Sequence, residues 1–338
     1  MEKLNVLVIV PAFASSAPHV DEDIMRRIRN VSPKIRATDG SAAAYGDSRG
    51  DDKAKKELDV LLADADVIFG LFLTQPLLTR SPKLKWVQTM SAGVDRFAGT
   101  DIWQSPVTLT GVSGIHATPI GEYVLMIMLM FAKKAPIYFE MKEKHEWARF
   151  APAVLRGQTA GIVGLGSIGR EVARLADAFG MRVIATRRSA KDTSRARHVD
   201  KLFAAAQLHE LLAESDYVAV TLPLTLETRG VIGEAELNAM KPTGYIINIG
   251  RGGLIDEEAL IKALKEERIA GAGLDVTSVE PLPPDSPLWD LDNVIISPHI
   301  SGGMEDYIAR ATDVFCKNLD RYLNGKRLIN VIDKKKGY

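Results

Sequence analysis

Short apolar runs alternate with amphipathic stretches along the first hundred residues. The apolar runs predict buried strands at residues 5–10, 66–73, 85–90 and 107–112, and the amphipathic stretches predict helices over 21–30 and 53–64. Continuously apolar strands separated by helices are typical of a parallel sheet covered by helices on both faces. The pattern therefore predicts a first α/β domain.

A second α/β pattern follows a long helical stretch predicted over about residues 120–147. It begins with strand, tight turn, helix and strand between residues 157 and 188. Further strands are predicted at 217–223, 244–250, 269–276 and 293–299, and a last helix over 305–324. That last helix carries apolar side chains at helical spacing, so we expect it to pack back onto the first domain.

This order of elements predicts an α/β protein with two doubly wound parallel-sheet domains. We expect a Rossmann cofactor domain, residues 105–302, inserted in a smaller flavodoxin-like substrate domain formed by residues 1–104 and 303–338. A chain of 338 residues, 46% hydrophobic, has enough apolar material for two cores.

The charge balance argues against nucleic acid and membrane partners. The chain has 43 basic and 43 acidic residues, so no net field attracts a polyanion or an anionic surface. The basic, then apolar, N-terminus superficially resembles a signal peptide, but we interpret residues 5–10 as a strand ended by Pro11. A single cysteine, Cys316, fits a reducing compartment, so a cytoplasmic location is expected.

A glycine-rich turn stands between the first predicted strand of the second domain and its helix. Gly164 permits the tight turn, Gly166 lets the backbone approach a pyrophosphate, and Gly169 lets helix and strand pack closely. The helix that starts near Ser167 offers N–H groups and a partial positive charge to phosphates. The turn predicts a bound dinucleotide.

The end of the following strand indicates which dinucleotide binds. A site for NAD places an acid there to hold the ribose 2′-hydroxyl, whereas this chain has Arg187, Arg188 and Ser189. Guanidinium groups bind a 2′-phosphate through charge-assisted hydrogen bonds. We therefore predict NADP(H), with NAD(H) as a poorer alternative; the other interpretation is a solvated basic turn that tolerates both.

Three residues in the last third of the chain suit the reduction of a 2-keto acid. Arg251, Glu280 and His299 are each predicted at or just beyond the carboxyl end of a strand, where ligands of open α/β sheets bind. The arginine fork binds a carboxylate, and histidine titrates near neutrality and so can give a proton to a developing alkoxide. An acid beside the ring favours its protonated form and fixes its orientation.

With these residues the chain resembles the D-isomer-specific 2-hydroxyacid dehydrogenases. The resemblance rests on GIVGLGSIG (161–169), TLPLTLETRGVI (221–232), MKPTGYIINIGRGGLIDEEAL (240–260), GLDVTSVEPLP (273–283) and SPLWDLDNVIISPHISG (286–302). It implies that Arg251, Glu280 and His299 are catalytic, and that the loop with Ala92, Gly93 and Val94 holds the substrate carboxylate. It also implies cofactor contacts from Ser167, Ile168, Pro223, Thr228, Ile249 and Asp275, and a homodimer paired through the cofactor domains.

Departures from the family pattern narrow the expected function. The basic turn at residues 186–188 resembles the NADP-using glyoxylate/hydroxypyruvate reductase and hydroxyphenylpyruvate reductase branches, and Glu280 stands where formate dehydrogenases carry glutamine. We predict reduction of a small 2-keto acid such as glyoxylate or hydroxypyruvate. The alternative is a nucleotide-sensing interaction scaffold of the same family.

Other candidate residues are given structural roles or left open. We expect no metal site, and we interpret His116 and His145 as structural and Trp147 and Trp289 as packing residues. Loops at residues 12–16 and 71–75 are expected to set substrate specificity through apolar side chains, namely Phe13, Leu71, Phe72 and Leu73.

Overall fold

Two parallel sheets organise the chain, one of five strands and one of seven. The computed structural model describes residues 3–10, 20–71, 73, 76–190 and 194–337. The five-stranded sheet lies in a unit formed by Met1–Ile115 and Met304–Tyr338, and the seven-stranded sheet lies in His116–Gly303.

The first unit has the strand order that the flavodoxin-like interpretation requires. Its strands are β1 (Leu4–Ile9), β2 (Ile35–Asp39), β3 (Val67–Gly70), β4 (Trp86–Thr89) and β5 (Thr108–Thr110). They are all parallel, in the order β2-β1-β3-β4-β5. The unit extends to residue 115 instead of the predicted 104 because β5 pairs with β4.

Helices cover both faces of this sheet. They are α1 (Glu22–Asn30), α2 (Ser41–Ser48), α3 (Asp52–Asp64) and α4 (Leu77–Arg80). Helix α1 buries Met25 and Ile28 in one apolar cluster, whereas α3 buries Leu58 and Leu62 in the cluster on the other side. The alternation of strands and helices therefore builds a doubly wound unit, as predicted.

The second unit has the strand order of a dinucleotide-binding domain. Its strands are β6 (Thr159–Val163), β7 (Arg182–Thr186), β8 (Lys201–Phe203), β9 (Tyr217–Val220), β10 (Tyr245–Asn248), β11 (Gly271–Leu274) and β12 (Val294–Ile296). All are parallel, in the order β8-β7-β6-β9-β10-β11-β12. Strands β7 and β8 are added on one side of β6, and the later strands on its other side, starting with β9. Such sheets bind nucleotides at this switch point between β6 and β9.

Helices also lie on both faces of the second sheet. They are α5 (Ala117–Ala132), α6 (Ala135–Glu143), α7 (Ser167–Ala178), α8 (Leu208–Glu214), α9 (Glu234–Ala239) and α10 (Glu257–Lys265). Apolar side chains of α5 and α7 share one core cluster, and those of α8, α9 and α10 share the other.

The single helix predicted over residues 120–147 is wrong, because the chain there forms two helices. Helix α5 ends at Ala132, Lys134 adopts a left-handed backbone (φ 57°), and α6 starts at Ala135 with Pro136 in its first turn. Proline lacks an N–H, and its ring clashes with the carbonyl four residues earlier, so it ends one helix and suits the start of the next.

The last helix, α11 (Tyr307–Leu323), completes the first unit. Ala311, Phe315 and Leu319 are buried in the cluster that contains α1, and Phe315 stacks on Phe69 with ring centroids 4.3 Å apart. The predicted return of this helix to the first unit is therefore confirmed. Within the described residues, no helix is both long and apolar enough to cross a bilayer.

Candidate active site

The carboxyl ends of the seven parallel strands in the second unit lie at one edge of its sheet. Segments that follow six of these strands carry all the catalytic and cofactor residues predicted in this unit. They are 164–169 after β6, 187–189 after β7, 221–228 after β9, 249–251 after β10, 275–280 after β11 and 297–301 after β12. This edge is where open α/β sheets bind ligands.

A tight turn connects β6 to α7. Gly164 has a φ of 102°, which residues other than glycine rarely adopt. Its N–H donates to the Thr186 hydroxyl at 3.1 Å, and its carbonyl accepts from the Thr221 hydroxyl at 2.5 Å. Side chains from the neighbouring strands β7 and β9 therefore fix the turn from both sides.

The other two glycines meet the requirements of a pyrophosphate site. A Cβ on Gly169 would lie 2.3 Å from the Gly164 carbonyl oxygen, so only glycine lets α7 approach the turn this closely. A Cβ on Gly166 would meet no atom within 4 Å, so the backbone in front of α7 faces open space. No side chain caps α7, whose first residues are Ser167 and Ile168. These features fit a dinucleotide phosphate held by helix N–H groups.

Two arginines follow β7 at the same edge. The Nε atom of Arg187 is buried and has no hydrogen-bond partner among the described residues. Arg188 forms an exposed ion pair with Glu227, with Nη1 and Oε2 3.2 Å apart. Ser189 is exposed beside them. Burying a guanidinium N–H without a partner is costly, so Arg187 suits a site that an anion completes.

The loop after β9 is shaped by its own hydroxyl groups. The Thr228 hydroxyl donates to the Pro223 carbonyl at 2.6 Å and accepts the Thr225 N–H at 2.8 Å. Ile249, by contrast, is only 5% exposed and packs in the apolar core. The cofactor contacts predicted for Pro223, Thr228 and Ile249 remain predictions.

Arg251 stands on a loop that lies against the loop after β11. A Cβ on Gly252 would lie 1.9 Å from the Thr277 carbonyl oxygen, so glycine is required for this close approach. The buried Asn248 side chain donates to the Arg251 carbonyl at 3.0 Å, and the Arg251 guanidinium donates to the Gly250 carbonyl at 2.8 Å. The loop that carries Arg251 is thus fixed beside the loop that carries Glu280.

His299 and Glu280 form a direct pair. His299 Nδ1 lies 2.8 Å from Glu280 Oε2, and the second carboxylate oxygen accepts the Thr277 N–H at 3.3 Å. Since a carboxylate accepts, Nδ1 carries the proton of this bond and Nε2 is left for a substrate. Both side chains are partly open to solvent, 48% for His299 and 39% for Glu280. The peptide bond between Glu280 and Pro281 is cis.

Asp275 holds the segment around His299. Its carboxylate accepts the Ile300 N–H at 2.8 Å, the Ser297 hydroxyl at 2.6 Å, and both the N–H and the hydroxyl of Ser301. These donors fill the acceptor positions of a carboxylate. Asp275, which the resemblance implied as a cofactor contact, is thus hydrogen-bonded in this structure to the segment that carries His299.

The predicted substrate loop lies in the first unit, directly after β4. Ala92 and Gly93 are half-buried and Val94 is buried, before a short 3₁₀ helix at Asp95–Phe97. Among the described residues, the N–H groups of Ala92, Gly93 and Val94 donate no hydrogen bond. Consecutive N–H groups of this kind can hold a carboxylate.

The second unit matches a known family model. Residues 125–301 match the model for the NAD-binding domain of D-isomer specific 2-hydroxyacid dehydrogenases. The chain belongs to the D-isomer specific 2-hydroxyacid dehydrogenase family.

Relatives within this family cover both units of the chain. A glyoxylate reductase of Aeropyrum pernix is 34% identical over 80% of this chain and 84% of its own. A glyoxylate/hydroxypyruvate reductase B of Pectobacterium carotovorum is 38% identical over 72% of this chain and 78% of its own. The solved NADPH-dependent glyoxylate/hydroxypyruvate reductase of Sinorhizobium meliloti, in complex with NADP and sulfate, is 28% identical, with a TM-score of 0.82 over 99% of this chain and 100% of its own.

The sequence interpretation missed the supporting roles of several residues in the site of this 2-hydroxyacid dehydrogenase. Thr186 and Thr221 fix the glycine turn, and both follow from hydrogen bonds that sequence spacing does not reveal. His116, interpreted as structural, lies beside Gly302, where a Cβ would approach its Cδ2 atom to 3.0 Å. Burial lowers the pKa of His116, and the positive charge of Arg251 lowers it further.

Two other expectations end differently. Trp147 was interpreted as a packing residue but is 95% exposed, so it packs against nothing substantial in this chain. Of the predicted specificity loops, residues 12–16, 72, 74 and 75 lie outside the described residues. Leu71 and Leu73 are described and half-buried.

Proposed function

We propose that this 2-hydroxyacid dehydrogenase uses NADPH to reduce a small 2-keto acid, such as glyoxylate or hydroxypyruvate, to its D-2-hydroxy acid. The observation that carries the proposal is the His299–Glu280 pair, at 2.8 Å, on the sheet edge that also holds the glycine turn. A proton donor is thereby assembled at the edge where a dinucleotide is expected. The substrates of the curated relatives support the choice of keto acids.

Substrate binding is assigned to Arg251 and the loop of residues 92–94. The planar guanidinium of Arg251 suits a bidentate contact with the substrate carboxylate. The N–H groups of residues 92–94, which make no hydrogen bond to a described residue, are also of the kind that holds a carboxylate. In this proposal the first unit is the substrate domain and the second unit is the dinucleotide-binding domain.

Proton transfer is assigned to His299. Glu280 accepts a hydrogen bond from Nδ1–H of His299, orients the ring and stabilises the imidazolium. The Nε2–H group is therefore the proton donor to the oxygen of the keto group. As the keto carbon is reduced its oxygen gains negative charge, and His299 gives its proton there. In the oxidation direction the neutral Nε2 takes the proton back.

The second unit would hold NADPH, which supplies the hydride when bound. Gly164, Gly166 and Gly169 form the turn for the pyrophosphate, with the N–H groups of Ser167 and Ile168 in front of it. Pro223, Thr228, Ile249 and Asp275 are assigned to the rest of the coenzyme site.

Preference for NADPH is assigned to Arg187, Arg188 and Ser189. The buried Nε of Arg187 lacks a partner among the described residues, and the 2′-phosphate would supply one. The Arg188–Glu227 pair is exposed. Such a pair is worth at most about 1 kcal/mol, so a phosphate can compete for Arg188. NADP bound to the Sinorhizobium meliloti relative supports this assignment.

A homodimer through the second unit and a cytoplasmic location complete the proposal. Large apolar side chains are exposed on α5, α6 and the segment after α6, including Met126 (45%), Phe139 (53%) and Trp147 (95%). Large apolar side chains left exposed in one part of the chain suit a partner surface. The lone cysteine fits a reducing compartment. The alternative function, a nucleotide-sensing scaffold, is not favoured, because the acid–base pair is assembled and the similar curated proteins are reductases.

Steady-state kinetics with NADPH and NADH, using glyoxylate, hydroxypyruvate and phenylpyruvate, test the proposal. We expect a higher kcat/KM with NADPH. Arg187→Ala and Arg188→Ala should each reduce kcat/KM for NADPH about tenfold or more, and leave that for NADH nearly unchanged, since each removes a charge-assisted hydrogen bond.

Arg174→Ala is the matched control, because Arg174 is an exposed arginine of the same unit that pairs with Glu171. It should not change the ratio of the two coenzymes. No turnover of any keto acid would refute the reductase assignment, and equal or better efficiency with NADH would refute the NADPH assignment.

A further inference from the structure

A partly buried chain of hydroxyl groups connects α5 to Asp275. The Tyr123 hydroxyl lies 2.6 Å from the Ser297 hydroxyl, which lies 2.6 Å from Asp275 Oδ1. Because the carboxylate can only accept, Ser297 donates to Asp275 and Tyr123 donates to Ser297. Burial raises the pKa of Tyr123 to about 12, and the negative charge of Asp275 adds to this effect, so the phenol keeps the proton that it donates.

At its other end this chain reaches both sides of His299. Ser297 precedes His299 by two residues, and the N–H groups of Ile300 and Ser301 donate to the same carboxylate at 2.8 and 3.0 Å. The His299 N–H donates to the Asp275 carbonyl at 2.9 Å. Asp275 itself is only 1% exposed. The backbone of the histidine is therefore held from three directions by one buried residue.

This restraint has a physical purpose, because His299 adopts a left-handed backbone with a φ of 55°. A residue with a Cβ is disfavoured there by about 1 kcal/mol or more, and such a conformation persists only where its surroundings hold it. The direction of the imidazole follows from that backbone. Proton transfer depends steeply on the position of the donor.

We propose that Tyr123 is a positioning residue for proton transfer, acting through Ser297 and Asp275 on the backbone that aims His299. The inference rests on the proposed function of His299 and adds a residue that lies on a helix remote from it in sequence. Among the described residues, Tyr123 makes no hydrogen bond to His299 or Glu280. Asp275, which is assigned to the coenzyme site, keeps its carboxylate and its hydrogen bonds to Ile300 and Ser301 when the Tyr123 hydroxyl is removed. The effect of Tyr123 should therefore appear in the proton-transfer step and not in coenzyme binding.

Tyr123→Phe removes only the hydroxyl. We expect kcat for keto acid reduction to fall about fivefold, which is the effect of one buried hydrogen bond, while the Kd for NADPH stays within about twofold. The solvent deuterium isotope effect on kcat should rise, because proton transfer becomes more rate-limiting. A purely structural role would lower Tm without changing the isotope effect.

Tyr217→Phe is the matched control. Tyr217 on β9 is a buried tyrosine of the same unit, 2% exposed, and its hydroxyl makes no hydrogen bond within the described chain. Removing that hydroxyl should change neither kcat nor the isotope effect.

Ser297 variants test whether Tyr123 acts through Ser297. Ser297→Ala should lower kcat at least as much as Tyr123→Phe, and Ser297→Thr should recover most of that loss because it restores the hydroxyl. In the Ser297→Ala background, Tyr123→Phe should have almost no further effect, since coupled residues are not additive. If Tyr123→Phe folds poorly, the Ser297 pair still carries the test.

Three results would overturn the inference: a kcat of Tyr123→Phe within twofold of the wild type, no change in its isotope effect, or losses of the two single variants that multiply in the double variant. These outcomes are distinct from failure of the proposed function, in which the wild-type protein would reduce no keto acid.

Discussion

Replacing Glu280 by glutamine measures what the carboxylate contributes to the action of His299. The substitution keeps the size of the side chain and an oxygen that can accept from Nδ1, but it removes the negative charge 2.8 Å from the ring. When His299 is protonated, that charge attracts the imidazolium, and glutamine cannot replace this attraction.

The size of the effect follows from the exposure of the pair. His299 and Glu280 are 48% and 39% exposed, so solvent screens the attraction. In surroundings close to water, two unit charges about 4 Å apart attract by about 1 kcal/mol. Loss of that stabilisation from the transition state lowers kcat about fivefold. A charge pair buried from water would have given a much larger loss.

The assay is steady-state reduction of glyoxylate and hydroxypyruvate with NADPH. Glu257→Gln is the control. The Glu257 carboxylate accepts hydrogen bonds from the N–H and the hydroxyl of Ser278 at 2.8 and 2.7 Å, and Ser278 lies in the loop that carries Glu280. Glu257 makes no hydrogen bond to His299 among the described residues. We expect kcat of Glu280→Gln to fall about fivefold and that of Glu257→Gln to stay nearly unchanged. Equal losses in the two variants, or no loss in Glu280→Gln, would contradict the role of the Glu280 charge.

Further predictions follow from the coenzyme turn, from His116 and from the C-terminal segment. Gly166→Ala should leave Tm unchanged, because its Cβ meets no atom, but it should weaken NADPH binding. Gly169→Ala should lower Tm itself, because its Cβ would lie 2.3 Å from a carbonyl oxygen. Thermal melts with and without NADPH separate the two variants, and equal melts would refute the distinction. Burial and the positive charge of Arg251 lower the pKa of His116 below its ordinary value of 6.5, so the unfolded chain binds more protons, and the stabilising contribution of neutral His116 is lost as the pH falls through 6.5 and below. Urea unfolding on either side of that pH should show a smaller loss of stability for His116→Asn than for the wild type, and an identical loss would contradict this. Lys334→Met removes an ammonium group that donates to three backbone carbonyls at 2.7 to 2.9 Å, so the free energy of unfolding should fall by about 2 kcal/mol in urea titrations, and a fall under about half of that would show that these bonds contribute little.

The pattern of apolar runs predicted the buried strands and the edge strands β5 and β12, but it missed the other two edge strands, β2 and β8. β3 and β4 are buried at every position, and apolar runs mark both of them in the sequence. β2 alternates buried and exposed residues at its start, and β8 has three residues, so neither forms an apolar run. Both are held by backbone hydrogen bonds to a single neighbouring strand, which composition does not reveal.

The break after α5 was within reach of the sequence. Pro136 stands four residues after Ala132, where α5 ends, and proline in a helical pattern is a signal to end the helix. The apolar periodicity on both sides of the break concealed it. At this position the proline, and not the apolar periodicity, determines where the helix ends.

The predicted site residues of the second unit lie together at one sheet edge, whereas the residues that hold them were not predicted. Arg251, Glu280 and His299 follow strand ends, and strand ends can be estimated from apolar runs. Tyr123, Ser297 and Thr221 act through hydrogen bonds over long sequence separations, such as the 174 positions between Tyr123 and Ser297. Such contacts depend on the packed helices and leave no local pattern.

The proposed reduction depends most on His299 as the proton donor to the keto oxygen. The most direct test is a single turnover, in which the enzyme loaded with NADPH is mixed with glyoxylate and the loss of NADPH is followed for the wild type and for His299→Gln. We predict that His299→Gln binds NADPH normally and transfers hydride at least about a hundredfold more slowly. Hydride transfer at the wild-type rate in His299→Gln would contradict the account.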